Sequence, residues 1–475
     1  MNLLNNKLLY LAVLTFIVKL FLFPFAQTLD ADAVSRVFLS LDWLDNPRWI
    51  SASGWGPFHF YLNGVFLSMW SDRVYAPVVL NIFISVLTLL PFYYFTRREF
   101  NEQGAFVATC ILAASPVLFH LSFLSLSETP YLFFVVLSMN CISKALREHK
   151  MLNFVWAAVS IGVASGFRFE AWFLIPVFSL LIACFKQFRG LILFSFVAAI
   201  YPLITMYIDY KLTQNPFVGF DANSEWMLNA MATNDHISWE DYARRIWSFP
   251  FFWLIAVGPF TLFFLIKELI KSKINLWVIP FLMMALLTFY AAFKGTLMLH
   301  SRFIGTWVIL SLPFVAAYFN ESLHHFKRNA IVFVSTVFLL SFVYSVDHVK
   351  PVPRLKNQQA VEVVETVNEN VQDNSFLLID FWSWENSYYL ALNTVISHKQ
   401  IAIVDGAPNS ELPVSNISKM FSESRNGLIV LVNGSKLHAQ AQLKGDKLFF
   451  SFYNKEVAVE KIYEKGEVIV FKRKR

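Results

Sequence analysis

The strongest constraint on this chain is a series of apolar runs, each long enough to cross a bilayer as a helix. The first extends from about Leu8 to Ala26. About ten more follow, centred near Ile84, Ala113, Val135, Ala158, Ile175, Val197, Leu254, Met284, Leu310 and Phe338. Because about 20 apolar residues span the ~30 Å hydrocarbon core, we predict a mainly α-helical, polytopic membrane protein with about eleven transmembrane helices.

The composition excludes an ordinary soluble globular protein. Of the 475 residues, 56% are hydrophobic and only 15% are charged, and the mean hydropathy is +0.51. Soluble domains average about 25% charged residues, so this chain has too few to cover a surface exposed to water. The net charge of +6 fits basic loops beside anionic lipid headgroups. No motif resembles a nucleic-acid-binding module, so we expect membrane lipids and no nucleic acid as partners.

Loop charges predict the orientation in the membrane. Short basic loops, such as "TRREF", "KALREHK" and "KELIKSK", alternate with loops that carry the acids. Short loops rich in Lys and Arg stay in the cytoplasm. We therefore expect an inner or plasma membrane protein with a cytoplasmic N-terminus, and an odd number of spans then places the C-terminus outside.

After about Val346 the sequence pattern changes to that of a small α/β domain. "NQQAVEVVETVNENV" has helical spacing, and "SFLLIDF", "QIAIVDG" and "GLIVLVN" are short apolar runs typical of buried strands. "GEVIVFKRKR" is predicted to contain a final strand. We therefore predict a transmembrane domain at residues 1–346 and an extracytoplasmic α/β domain at residues 347–475.

The first predicted external loop places acids directly after an apolar run. In "TLDADAVSRVFLSLDWL", the spacing of Val34, Val37, Phe38 and Leu41 predicts a helix that lies along the membrane surface. Asp32 and Arg36 are four residues apart and can pair on it. Two interpretations are open: Asp30 and Asp32 form a helix cap and a surface ion pair, or one of them is a base at the water–lipid boundary.

Three other external turns also carry ionisable residues. Glu128 lies in "SLSETP", Arg168 and Glu170 lie in "GFRFEAW", and His300 and Arg302 lie in "LMLHSRF". Each alone fits capping or snorkelling. Charges at membrane depth are costly and tend to face the protein interior or a water-filled cavity, so together they predict a site at one face of the membrane.

A transferase with a lipid-linked donor needs this combination of groups. Guanidinium groups hold the donor phosphate and stabilise the charge that develops on the leaving group. A carboxylate accepts the proton of the acceptor hydroxyl. Arg168 and Arg302 suit the first role, and Asp30 or Asp32 suits the second.

The order of these motifs resembles that of the GT-C membrane glycosyltransferases over about residues 8–345. The chain is most similar to the family 39 or dolichyl-phosphate-mannose protein mannosyltransferase type and to aminoarabinose transferase-like proteins. The resemblance implies a first-loop Asp as general base. The family commonly has two adjacent acids there, whereas Ala31 separates them here. We favour Asp32 because Arg36 can orient it, with Asp30 as the alternative.

The resemblance extends the predicted site to further residues. Glu128 joins the catalytic candidates, and His300, Arg36 and Glu170 join the two arginines as candidates for binding the donor. In "GWGPFHFYLNG", Gly54, Gly56 and Pro57 break regular structure and can present Trp55 and His59 at the interface. Trp55 would stack on a sugar and His59 would donate to a phosphate or hydroxyl; the alternative for both is an aromatic belt with a His at the headgroups.

The sequence shows no constellation typical of a metal site. The histidines lack the spacing to acids that a first coordination shell needs, and the three cysteines fall within or beside predicted spans, where we assign them to packing. Some lipid-linked sugar transferases use a divalent ion at external carboxylates. Asp30, Asp32 and Glu128 are the candidates if a metal is used here.

These expectations combine into a predicted function. The chain would move a sugar, with a hexose such as mannose as the first choice, from a polyprenyl-phosphate donor to a protein, lipid or glycan acceptor outside the cytoplasm. The alternative is a polytopic transporter or lipid flippase. Transporters tend to have internal repeats and polar groups at the bilayer midplane, whereas this sequence shows no repeat and places its polar groups near the ends of the spans.

Overall fold

The computed structural model describes most of the chain. The described residues are 3–23, 31–50, 55–222, 224, 239–271, 275–294, 296–297, 300–317, 358–404, 412, 414–424, 426–453 and 456–474. They fall into two compact units. The first comprises Met1–Phe23, Arg48–Leu62 and Val78–Val349, and the second comprises Pro24–Pro47, Asn63–Pro77 and Lys350–Arg475.

The described part of the first unit consists mainly of helices. Its helices, together with α2 and α3 of the first loop, are α1 (Leu3–Leu22), α2 (Ala31–Asp45), α3 (Phe58–Met69), α4 (Tyr75–Leu87), α5 (Leu89–Glu99), α6 (Glu102–Ala114), α7 (Pro116–Leu121), α8 (Glu128–Glu148), α9 (Met151–Phe167), α10 (Glu170–Cys184), α11 (Phe188–Thr213), α12 (Trp239–Val257), α13 (Pro259–Leu269), α14 (Val278–Lys294) and α15 (Gly305–Ser311).

Several of these helices have the length and composition of membrane spans. Three qualify among the described residues, namely Tyr75–Glu99, which joins α4 to α5, together with α8 and α11. A fourth qualifies if the α12–α13 pair is one broken span, bent by 108°. Gly258, with φ of 75°, and Pro259 cause this break, because Pro starts a new helix. A membrane protein is therefore supported, and the total of about eleven spans stays a prediction.

The second unit contains the predicted α/β domain. Its elements are α16 (Gln358–Glu369), β1 (Phe376–Ile379), α17 (Trp384–Asn393), β2 (Ile401–Ile403), α18 (Val414–Glu423), β3 (Gly427–Val432), α19 (Lys436–Ala439), β4 (Ala441–Lys444), β5 (Lys447–Phe450), β6 (Glu456–Lys465) and β7 (Val468–Arg473). The helix, the three apolar strands and the final strand predicted from sequence are all present, although β2 is only partly buried. The β4–β6 strands were not predicted.

The sheet of this domain has the order β2-β1-β3-β7-β6-β5-β4. β2, β1 and β3 are parallel and the other neighbours are antiparallel. Side chains of β1 alternate between two cores: Leu377 packs with Val363 of α16, and Phe376 packs with Phe421 of α18. Both faces of the sheet are thus covered, which explains why β1 and β3 are apolar at every position.

The first-loop helix α2 belongs to the second unit. The sequence correctly predicted a helix here. The prediction that lipid covers its apolar stripe is wrong, because Val34 and Val37, each 2% exposed, pack against Leu67, Ala76 and Leu392. A helix with this apolar spacing can pack against another part of the protein or against a bilayer, so periodicity alone could not distinguish the two environments.

Ion pairs connect α2 to His398 and Lys399, which lie just before β2. Nε2 of His398 lies 3.0 Å from Oδ1 of Asp42 and 3.4 Å from Oδ2 of Asp45, and Lys399 also pairs with Asp45 at 2.8 Å. Burial lowers the pKa of His398, while the two carboxylates oppose that shift. Arg73 adds a hydrogen bond to the Ile396 carbonyl at 2.9 Å. The contacts of Asp42 and Asp45 connect α2 to the C-terminal part of the chain, and that of Arg73 connects the segment before α4 to the same part.

Candidate active site

Glu128 begins helix α8, at the end of a buried turn. Its side chain is only 4% exposed. The side-chain amide of Asn81 donates to the carbonyl of Leu126 at 3.1 Å and also to that of Leu124, which holds the turn in place. The first turn of a helix carries partial positive charge, so this position favours a carboxylate. The local sequence therefore places an anion inside the first unit.

Arg168 lies between helices α9 and α10 and holds two carboxylates. Its Nη1 is 2.6 Å from Oε1 of Glu128. Its Nε and Nη2 donate to Oε1 of Glu170 at 3.0 and 2.6 Å. Glu170 is the first residue of α10, so it too lies at a positive helix end. The planar guanidinium thus connects the N-termini of two helices.

Arg302 joins this cluster from the segment Ser301–Ile304, a single 3₁₀ turn. His300 caps that turn, with Nδ1 accepting a hydrogen bond from the Arg302 amide at 3.2 Å. Nε of Arg302 is 3.6 Å from Oε1 of Glu128, a longer contact than the one that Arg168 makes. The carboxylates therefore engage Arg168 more closely than Arg302.

Phe303 lies beside both guanidinium groups. Its ring centroid is 5.2 Å from Cζ of Arg168 and 5.1 Å from Cζ of Arg302. Cation–π contacts of this kind favour a positive charge over the ring face. The ring therefore helps to keep two like-charged groups at one site.

The four charged side chains border a small cavity of about 10 Å³, enough space for about one water molecule. Its wall also includes the hydrogen-bonded pair of Tyr131 and Thr306, whose hydroxyl oxygens are 2.9 Å apart. The lining residues are Glu128, Tyr131, Leu132, Arg168, Glu170, Arg302, Phe303, Gly305 and Thr306. Two cations and two anions make the cluster neutral overall. Of the two guanidinium groups, that of Arg302 makes the longer contact with Glu128.

Four of the predicted residues thus meet at one place: Glu128, Arg168, Glu170 and Arg302. His300 acts here as a cap for Arg302. Sequence reasoning missed Phe303, Tyr131 and Thr306. Phe303 follows Arg302 directly in "HSRF", but nothing in the local sequence shows that its ring contacts an arginine more than 100 positions away.

The other predicted residues lie elsewhere. Asp30 is outside the described residues. Asp32 and the buried Arg36 lie on α2, in the second unit. In the first unit, Trp55 is half-buried, whereas His59 is 0% exposed within α3. Packing thus encloses the His59 ring, and its predicted contact with a phosphate or hydroxyl stays a prediction.

Gly56 brings the segment before α3 into close contact with the end of α9. A Cβ atom on Gly56 would lie 2.5 Å from the Phe167 carbonyl oxygen and would also clash with that of Gly166. Only a residue without a side chain permits this approach. Because Phe167 precedes Arg168, the contact fixes the backbone that carries the guanidinium.

We expect Gly56→Ala to destabilise the protein by about 1–3 kcal/mol, because the α9 backbone cannot yield as a side chain would. Thermal unfolding in detergent measures the effect. Gly162→Ala in α9 is the matched control, since its Cβ would lie 3.8 Å from the Ala198 carbonyl oxygen, an ordinary contact. Equal stability of both variants would contradict the steric argument.

Metal ligands are not evident in the part of the chain that the structure describes. No group of three His, Cys, Asp or Glu side chains is arranged to hold an ion there. Of the three acids suggested as metal ligands, Asp30 is not described, and Asp32 and Glu128 belong to different units. Metal use stays a hypothesis.

Comparison with known proteins supports the resemblance seen in the motifs. Residues 54–213 match the family model described as dolichyl-phosphate-mannose-protein mannosyltransferase. The predicted resemblance to this family is confirmed. The matched segment includes Glu128, Arg168 and Glu170. Among the curated proteins, none matches the chain.

Solved structures show the fold over nearly the whole chain. ArnT from Cupriavidus metallidurans bound to undecaprenyl phosphate has a TM-score of 0.68 at 10% identity, with 98% of this chain and 97% of that chain covered. Its apo state has a TM-score of 0.62 at 11% identity and the same coverage. The oligosaccharyltransferase AglB from Archaeoglobus fulgidus, in complex with an inhibitory peptide and a dolichol-phosphate, has a TM-score of 0.50 at 14% identity, covering 89% of this chain and 69% of that one. The chain has the fold of ArnT.

Proposed function

We propose that this protein is a membrane glycosyltransferase that moves a sugar from a polyprenyl-phosphate donor to an acceptor hydroxyl. The observation that carries the proposal is the buried cluster of Glu128, Arg168, Glu170 and Arg302 around one cavity. The matched mannosyltransferase family and the ArnT fold, seen with undecaprenyl phosphate, support a lipid-phosphate donor.

The two arginines of the cluster have different roles. Arg168 is held by two carboxylates and fixes the ends of α8 and α10, so it positions the site. Arg302 binds the donor phosphate. As the bond between the sugar C1 and the phosphate oxygen breaks, charge develops on that oxygen, and the guanidinium stabilises it. Polyprenyl phosphate is then the leaving group.

A carboxylate must take the proton from the acceptor hydroxyl while its oxygen forms the new bond to C1. We assign this role to Asp32 on α2, with Asp30 as the alternative, on the basis of the family resemblance. Glu128 is the third candidate. The pairing with Arg168 makes it less suitable as a base, because its Oε1 already accepts from the Arg168 guanidinium at 2.6 Å.

Several finer features belong to the same proposal. The sugar is a hexose such as mannose, and the acceptor is a protein, lipid or glycan at the extracytoplasmic face. The chain crosses the membrane about eleven times and has its N-terminus in the cytoplasm. The α/β domain that begins near residue 347 lies outside the cytoplasm. Loop charges support this orientation.

The test is a transfer assay with purified protein in lipid. It is incubated with labelled polyprenyl-phosphate hexoses and pentoses and with mixed membrane acceptors, and wild type is compared with Asp32→Asn and Asp30→Asn. We expect wild type to transfer one sugar and one Asp variant to lose at least ~10²-fold in rate. Full activity in both variants would refute an Asp base in this loop. If wild type neither transfers nor binds any donor, the transporter hypothesis is favoured.

A further inference from the structure

Two buried hydroxyl groups beside the arginine cluster have no role so far in the proposed transfer. The hydroxyl oxygens of Tyr131 on α8 and Thr306 on α15 are 2.9 Å apart, so one donates to the other. The two residues are 2% and 5% exposed. Burying a hydroxyl without a partner is costly, and here each group satisfies the other. This hydroxyl pair joins α8 to α15 within the first unit.

The hydroxyl pair lies about one helical turn beyond the place where Glu128 and Arg302 meet. Tyr131 is three residues after Glu128 on α8. Thr306 is four residues after Arg302, whose 3₁₀ turn leads directly into α15. Side chains three or four residues apart lie on the same face of a helix. The face of α8 that presents the carboxylate is therefore bonded to the segment that presents the guanidinium.

A close contact beside the hydroxyl pair also brings α15 onto α8. A Cβ atom on Gly305 would lie 2.8 Å from Cδ1 of Leu132, so the α15 backbone rests directly on a side chain of α8. On α14, Thr288 accepts a hydrogen bond from Nε1 of Trp307 at 3.1 Å. Because these contacts also hold α15, loss of the hydroxyl pair should let the segment shift without unfolding it.

We propose that the hydroxyl pair positions Arg302 for the reaction. The inference rests on the proposed transfer, in which this guanidinium stabilises the charge that develops on the leaving phosphate oxygen. Such stabilisation depends on geometry, since a displacement of about 1 Å can cost about 10²-fold in rate. Tyr131 and Thr306 act through Arg302, so they are positioning residues rather than catalytic ones.

Tyr131→Phe and Thr306→Val each remove one hydroxyl and keep the shape of the side chain. We expect each to lower kcat of sugar transfer about ten- to hundredfold and to change KM less than about threefold, because the guanidinium keeps its charge near the phosphate. Thr306→Ser keeps the hydroxyl and should retain most of the wild-type rate. Ser195→Ala on α11 is the matched control: it removes a contact of 2.8 Å with the Ser179 hydroxyl on α10 and should transfer as wild type does.

A double-mutant cycle with Arg302→Ala distinguishes positioning from a general structural effect. If Tyr131 acts through Arg302, adding Tyr131→Phe to Arg302→Ala should lower kcat by less than about a further twofold. Thr306→Val serves in the same cycle if Tyr131→Phe fails to fold.

Equal fold losses in the wild-type and Arg302→Ala backgrounds would overturn the inference, as would wild-type kcat in both Tyr131→Phe and Thr306→Val. Either result in an active wild type leaves the proposed function intact. If the wild type transfers no sugar, the proposed function fails, and the inference fails with it.

Discussion

Arg302→Ala is expected to lower the rate of sugar transfer by about 10²- to 10³-fold, with little change in folding. That range is typical for removal of one group that stabilises charge in a transition state. Arg302 is suited to this role because its guanidinium lines the cavity of the cluster. Arg302→Lys keeps the charge but not the planar fork, so it should retain an intermediate rate.

Arg147→Ala is the matched control for this prediction. Arg147 also lies 3.6 Å from a carboxylate, that of Glu99, but 55% of its side chain is exposed. The transfer assay described above measures both variants, and a donor-binding assay separates loss of affinity from loss of rate. Wild-type transfer by Arg302→Ala would exclude the arginine from the reaction, whereas a loss shared by Arg147→Ala would indicate a general effect of charge.

Arg168→Met is expected to destabilise the protein by about 3–5 kcal/mol. The substitution leaves the carboxylate of Glu128, which is 4% exposed, without its nearest cation. Breaking a buried ion pair by removing one partner costs this much because a buried charge loses its compensation. The Tm in detergent should fall clearly below that of wild type, and activity should be lost with it.

A compensating variant separates charge from packing. Glu128→Gln and Glu170→Gln remove both carboxylates, so adding them to Arg168→Met should recover most of the lost stability but not the activity. Arg97→Met is the control, since its pair with Glu102, at 3.1 Å, is about one-third exposed on both sides and should contribute less than about 1 kcal/mol. If the triple variant is no more stable than Arg168→Met, packing rather than charge explains the loss.

The C-terminal strands show how far local pattern predicts structure. β1, β2, β3 and β7 were found because buried strands in α/β domains are short apolar runs between turn formers. β4, β5 and β6 were missed because one face of each is solvated and their residues are mixed. Lys447, Glu456 and Lys461, for example, lie in these strands and form exposed ion pairs.

The first loop shows where local pattern is ambiguous. The apolar spacing in α2 correctly predicted a helix, but not what covers it. Val34 packs against Leu392, more than 350 positions away, and His398 pairs with Asp42 of the same helix. A bilayer and a protein core stabilise helices with the same amphipathic pattern. The sequence therefore did not show whether the helix that carries the candidate base Asp32 packs against lipid or against protein.

The sequence by itself determined that this is a membrane protein, that an α/β domain ends it, and that acids and arginines cluster in a few turns. These properties follow from hydrophobic length and periodicity, which depend on neighbouring residues. Only the tertiary structure decided which turns meet. It pairs Arg168 with Glu128 and Glu170, places Phe303 beside both arginines, and encloses His59 and Lys19. Such contacts join residues far apart in the chain, because they depend on how whole helices pack.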